Sequence, residues 1–228
     1  MSHVVIMRIP LVDTPFYYLT TADSHARHVH FEQAFGQYRP IRVLPVPATE
    51  FDSNESHFRR TRKSGITGYL KIIDAASQVE AHRFRPFVIL EDDVKGYREM
   101  PAALELPDDC DLCYLGLSEW GMTDQPNGVC HTVCCTDAGP DLIRVYNMLS
   151  THGMLVTSLR GLLTLQKCLM DDYYKGQGWD RSLAQMQPHI CAYALKEPLV
   201  YQYGPLGGMD NERATRITHA RFLHQPLP

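Results

Sequence analysis

Apolar residues along the chain recur in two periods, one of strands and one of helices, and the two alternate. Residues 16–20, rich in aromatic and β-branched types, read as a strand, and Asp23 or Ser24 can cap a helix running to about Phe35. Residues 41–46 read as a second strand. After it, 47–63 are polar, charged and poorly periodic, which predicts a long surface loop. Over 67–81 the apolar residues Tyr69, Ile72, Ile73, Ala76 and Val79 fall on one helical stripe. The continuous apolar run 87–90 and the segments 111–115 and 153–157 have the character of strands buried on both faces. Ser158 can cap a helix bearing Leu159, Leu162, Leu163 and Leu169, a further helix spans 179–186, and extended segments follow at 191–195 and 199–202. This alternation predicts an α/β sheet with helices on its faces.

Chemistry enters at the exit of the apolar run, where Leu90 is followed by Glu91, Asp92 and Asp93. Two carboxylates about 4 Å apart repel by roughly 4 kcal/mol at an effective dielectric near 20, so a triplet there calls for a cation or strong hydrogen-bond donors. In open α/β sheets ligands collect at the carboxyl ends of strands, the position this triplet occupies. If extended geometry persists, Glu91 and Asp93 face one side and Asp92 the other, so one pair can face a metal. Oxygen-only ligation suits magnesium or manganese. A solvated acidic turn is the plain alternative.

The chain's 228 residues, 44% of them hydrophobic, suit one α/β domain. A net charge of -4 provides no basic field for nucleic acid. The N-terminus has no signal-peptide pattern and no apolar run reaches the length of a bilayer span, so the sequence reads as a soluble, cytoplasmic protein without a transmembrane segment. The seven cysteines are too irregular for a secreted disulfide scaffold. Cys110 and Cys113, with Cys130, Cys134 and Cys135, raise zinc as a ligand. Alternation along a strand would point Cys110 and Cys113 to opposite faces, which favours buried, small hydrophobic thiols instead.

Several segments, taken in order, resemble glycosyltransferase family 25, which holds lipopolysaccharide and collagen galactosyltransferases. Residues 87–94, Phe-Val-Ile-Leu-Glu-Asp-Asp-Val, are similar to its ILEDDV signature. Tyr17-Tyr18-Leu19-Thr20-Thr21 with Arg27 resembles the first strand and the arginine-bearing helix start, and Asp111 to Gly116 the strand ending in D-aromatic-LG. Residues 150–158 resemble the THAYLVS strand, and 179–183 the D-x-x-L helix start. The resemblance spans roughly 15–203. The family's GCxxSH segment is replaced by Ser64-Gly65-Ile66-Thr67-Gly68.

The resemblance implies a GT-A type nucleotide-diphospho-sugar transferase fold with a mainly parallel central sheet and a DxD-type motif holding Mn2+ or Mg2+ against the diphosphate of a UDP-sugar donor. A nucleotide-sugar half is expected at about 1–110 and an acceptor and catalytic half at about 111–203, while the tail 204–228, with Gly207, Gly208 and many charges, reads as a loop-like flap. The expected activity is metal-dependent, inverting transfer of a hexose to a hydroxyl of a glycan or glycoconjugate. Asp93 is the first choice of metal ligand, with Glu91 beside it and His219 reaching in from the tail. Asp92 is expected near the ribose, and Thr20, Thr21 and Arg27 near the nucleotide. Asp180, after Trp179 as a sugar-stacking platform, is the candidate general base, and a plain helix N-cap is its structural alternative. Glu119, beside Trp120, is the second candidate base. His25, His28 and His30 read as surface residues. The competing classes are a nucleotidyltransferase acting on sugar phosphates and a binding module without turnover.

Overall fold

The computed structural model describes residues 5–78, 84–123, 128–206 and 220–223. In chain order the elements are β1 (Ile6–Pro10), β2 (Phe16–Leu19), α1 (His25–Phe35), β3 (Ile41–Val43), α2 (His57–Gln78), β4 (Phe87–Glu91), β5 (Val94–Gly96), β6 (Ala103–Pro107), β7 (Leu112–Tyr114), β8 (Gly121–Met122) and β9 (Val129–Cys130). They continue with β10 (Val133–Asp137), β11 (Leu142–Val145), β12 (Gly153–Val156), α3 (Leu159–Lys175), α4 (Trp179–Met186), β13 (Ala192–Leu195), β14 (Val200–Gln202) and β15 (Ala220–Phe222).

Strand alternation sorts the apolar side chains into two cores. Tyr17, Phe87, Ile89, Leu112, Tyr114, Met154 and Val156 face one side of the sheet, where Tyr69, Ile72 and Ile73 of α2, Leu162, Leu165 and Leu169 of α3, and Leu183 of α4 cover them. Phe16, Tyr18, Val88, Leu90, Cys113 and Leu155 face the other, against Phe31 and Phe35 of α1 and the β1–β6 ribbon. Every residue of 87–90 is buried, as expected of a strand covered on both faces.

Among the described residues the main sheet has nine strands, in the order β15-β10-β11-β13-β7-β12-β4-β2-β3. It is mixed, which corrects the expectation of a mainly parallel sheet. The pairs β2/β3, β2/β4, β13/β7 and β10/β15 are parallel, whereas β12 runs against both β4 and β7, and β11 against both β10 and β13. Apolar content does not encode strand direction. Direction is set by the connections, and the β5 and β6 excursions between β4 and β7 pair with β14 and β1, far away in sequence.

Two further readings change. Helix α2 starts at His57, so much of the expected 47–63 loop is helical. That charged first half is held by tertiary ion pairs rather than an apolar stripe: Lys63 Nζ to Glu55 at 2.6 Å and Arg62 Nε to Asp172 of α3 at 2.8 Å. Cys110 and Cys113 share one core, because Cys110 precedes β7 and escapes its alternation. Of the C-terminal tail, 204–206 form a short 3-10 turn and 220–222 add a strand to the sheet edge. No helix among the described residues is long and apolar enough to cross a membrane.

Candidate functional site

After β2 the chain places β3 on one side of it, then returns through α2 to place β4 on the other. The carboxyl ends of β2 and β4 therefore flank the point where the winding reverses, and the crevice there is where open sheets hold ligands. Thr20 leaves one strand and Glu91, Asp92 and Asp93 leave the other.

The three acids are held differently. Asp92, 5% exposed, closes the crevice: Thr20 Oγ1 donates to its Oδ2 at 2.5 Å and Arg27 Nη1 of α1 to its Oδ1 at 2.9 Å. Arg27, expected near the nucleotide, is thus tied to the triplet. Glu91 accepts from Tyr69 Oη at 2.7 Å, Thr151 Oγ1 at 2.9 Å and Gln202 Nε2 at 3.1 Å. Burial, with the Asp93 charge second, raises its carboxyl to about 7 despite the Tyr69 and Thr151 hydrogen bonds. Asp93 is 6% exposed, and burial raises it too, while the Arg27 charge and a Gln202 hydrogen bond pull it back. Its Oδ1 is buried with no hydrogen-bond partner among the described residues. An orphaned, solvent-excluded carboxylate oxygen is costly and rare.

Tyr69 and Thr151 lead from this crevice to a second depression. Trp179 packs on Tyr69 with ring centroids 4.6 Å apart, and Thr151 lines a cleft of about 700 Å³ with Phe58, Arg62, Trp179, Asp180 and Arg181. Its far wall is the turn between α3 and α4. Gly176 closes α3 at φ 71° and Gly178 precedes α4 at φ 96°, both in the region that favours glycine. The turn is pinned by Asp172, whose carboxylate accepts from Gly178 N at 2.8 Å, Trp179 N at 3.0 Å and Arg62 Nε at 2.8 Å. Asp172 thus does the work of an N-cap from the preceding helix. Gly178 occupies the N-cap position itself, and Asp180 sits in the first turn of α4 on the cleft wall.

Other sequence candidates lie around this frame. Thr21 is exposed on the turn before α1, bonded to Ser24 Oγ at 2.6 Å. Glu119 and Trp120 follow β7, whose carboxyl end lies on the same sheet edge as that of β4, and the Trp120 ring is engaged by His131 at 3.6 Å. His25 is exposed, but His28 takes a 2.6 Å hydrogen bond with Tyr18 Oη and His30 stacks on Tyr203. His219 lies outside the described residues. Among those described, no cluster of three or more His, Cys, Asp or Glu side chains has the form of a metal site.

Sequence reasoning did not find Tyr69, Thr151, Gln202, Asp172 or His152. Tyr69 falls on the core stripe of α2, and nothing in its sequence setting marks its hydroxyl as a donor to Glu91. His152 is fully buried with Nε2 unpartnered among the described residues, and burial pushes its imidazole down to about 4. It sits beside the triplet, since Glu91 N donates to its carbonyl at 3.1 Å.

In comparisons with known proteins, no protein-family model matches this chain and no curated protein matches it.

Proposed function

We propose that this protein is a metal-dependent, inverting glycosyltransferase that moves a hexose from a UDP-sugar to a hydroxyl of a glycan or glycoconjugate. The observation that carries the reading is the unpartnered, buried Asp93 Oδ1 beside Glu91, at the crevice where the sheet reverses its winding. The GT-A assignment rests on the family-25 resemblance, with that placement as support.

The residues fit a hard divalent cation. Asp93 and Glu91 supply oxygen only, and Mg2+ or Mn2+ is commonly held by one or two carboxylates with diphosphate and water oxygens completing the shell. Asp93 and Glu91 would hold the ion, which when bound offsets the charge developing on a diphosphate leaving group. The protein's own groups then divide the work. Arg27 and Thr20 fix Asp92 at the crevice mouth, where the ribose and phosphates of a donor are expected. Tyr69, Thr151 and Gln202 orient Glu91 and keep water from it. Trp179 offers a ring to an acceptor sugar and Asp180 accepts the proton of the attacking hydroxyl, in the cleft that Thr151 joins to the Glu91 crevice.

A thermal-shift panel of nucleotide sugars with Mn2+ tests this. A UDP-hexose at about a hundredfold its Kd is expected to raise Tm by roughly 5–10 °C, and Asp93→Ala to abolish the shift. If no donor stabilises the wild type, or the variant is stabilised equally, the reading fails. Slow Mn2+-dependent release of UDP without acceptor marks a transferase, and binding without release marks a module.

A further inference from the structure

The cleft beside Asp180 carries a charge pattern that the proposed chemistry does not require. Its walls bring Arg62 and Arg181 together with one acid, Asp180, in a chain whose net charge is -4. Helix α2 opens beside it with His57, Arg59, Arg60, Arg62 and Lys63, and its first turn holds no acidic residue. Glu55, just before the helix, pairs with Arg59 at 3.2 Å and Lys63 at 2.6 Å, and Asp172 holds Arg62 at 2.8 Å, so the chain's own acids anchor part of this basic face beside the cleft.

The two arginines are prepared differently. Arg62 is fixed: Nε is bonded to Asp172 at 2.8 Å, its guanidinium lies over the Phe58 ring at 5.9 Å, and its Nη2 packs against Gly178, where a Cβ would come within 2.9 Å. Arg181 lines the same cleft and makes no hydrogen bond or ion pair among the described residues. Phe58 is 73% exposed on α2, and half-buried Trp179 stands on the α4 side. An exposed ring paired with a guanidinium, with a half-buried indole across the cleft, suits a ligand with an apolar sugar face and an anion at one end.

We infer that this cleft selects an acceptor sugar carrying an anionic group, a carboxylate or a phosphate, with Arg181 as its main contact and the free edge of Arg62 as its second. The inference deepens the transferase reading and rests on it for the word acceptor, while the binding preference itself stands on the cleft alone. Asp180 then faces the hydroxyl end and the arginines the charged end.

Titration calorimetry with glucuronate, glucose 6-phosphate, glucose and inorganic phosphate, on the wild type and on Arg181→Gln, tests it. At least one anionic sugar should bind the wild type about tenfold or more tighter than glucose, as one charge-assisted hydrogen bond gives, and which one it is separates carboxylate from phosphate. That preference should collapse to about twofold or less in Arg181→Gln and be partly kept in Arg181→Lys, with melting curves showing that both variants fold. Equal binding of charged and neutral sugars, persistence of the preference in Arg181→Gln, or inorganic phosphate binding as tightly as glucose 6-phosphate would each overturn it. UDP with Mn2+, titrated into the wild type alongside, reports the transferase reading separately. An anion preference without UDP binding removes the donor and keeps the cleft, and the reverse result does the opposite.

Discussion

Asp111 and Asp93 are buried to nearly the same extent, 2% and 6% exposed, at opposite edges of one sheet. Asp111 precedes β7 and Asp93 follows β4, and these two strands run in the same direction, each against β12. Around Asp111 the donors are complete: Ser158 Oγ at 2.5 Å, Arg160 Nε at 2.8 Å and Cys191 N at 2.8 Å. These contacts tie the starts of α3 and β13 to β7. Around Asp93 the donors run out, with one oxygen unpartnered among the described residues and Glu91 adding repulsion. A carboxylate whose lone pairs are filled by its own chain is a structural knot, and one left short of donors is kept for something the chain does not supply.

The sharpest way to break this comparison is to remove the knot. Asp111→Ala strands the Cys191 N–H and the Ser158 hydroxyl and is expected to cost about 3 kcal/mol in urea unfolding. Arg160 contributes little of that, because its side chain is 57% exposed. A loss below about 1 kcal/mol would remove Asp111 from the structural class.

The same contrast explains what was legible in the sequence. The β4 run, the Ser158 cap and the 179–186 helix carry local signals: four consecutive buried apolar residues, a serine whose Oγ accepts from Gly161 N at 3.0 Å, and a helical stripe. The acidic triplet was visible because charge at the end of an apolar run is unusual. Its setting was not. Tyr69, Thr151 and Gln202 reach Glu91 from 22, 60 and 111 residues away, and no local pattern marks such donors. The first half of α2 was hidden for a similar reason, since its partner Asp172 lies 110 residues downstream of Arg62. Cys110 misleads because it lies before β7, which begins at Leu112, and alternation holds only inside the strand.

A smaller effect sharpens the contrast through pH, measured metal-free with chelator present. Folded Glu91, raised to about 7, keeps a proton that the unfolded chain gives up near 4.5, so acidification through that window stabilises the fold. Buried His152, pushed down to about 4, refuses a proton that the unfolded chain takes up near 6.5, so acidification through 6.5 to 4 destabilises it. The two oppose each other between pH 6.5 and 4.5. Glu91→Gln removes the first and uncovers the second, so the wild type should gain on the variant as pH falls from 7 to 5, by at most about 1.4 kcal/mol per pH unit. Urea midpoints at pH 7.5, 6 and 5 measure this, and parallel profiles for the two proteins would refute it.

The smallest expected effect is the most telling. Asp93→Asn keeps the shape of the side chain, removes a buried charge that repels Glu91, and gives the unpartnered position an amide that can donate or accept. Its stability at pH 7.5 without divalent metal is expected within about 1 kcal/mol of the wild type, at or above it. Asp111 and Asp93 differ little in burial, so any account based on burial alone predicts similar losses for Asp111→Asn and Asp93→Asn. The donor-shortage account predicts a large loss at one edge of the sheet and none at the other. An Asp93→Asn protein destabilised by more than about 2 kcal/mol would mean that its carboxylate is held by the fold after all, and Asp93 would join Asp111 as a knot.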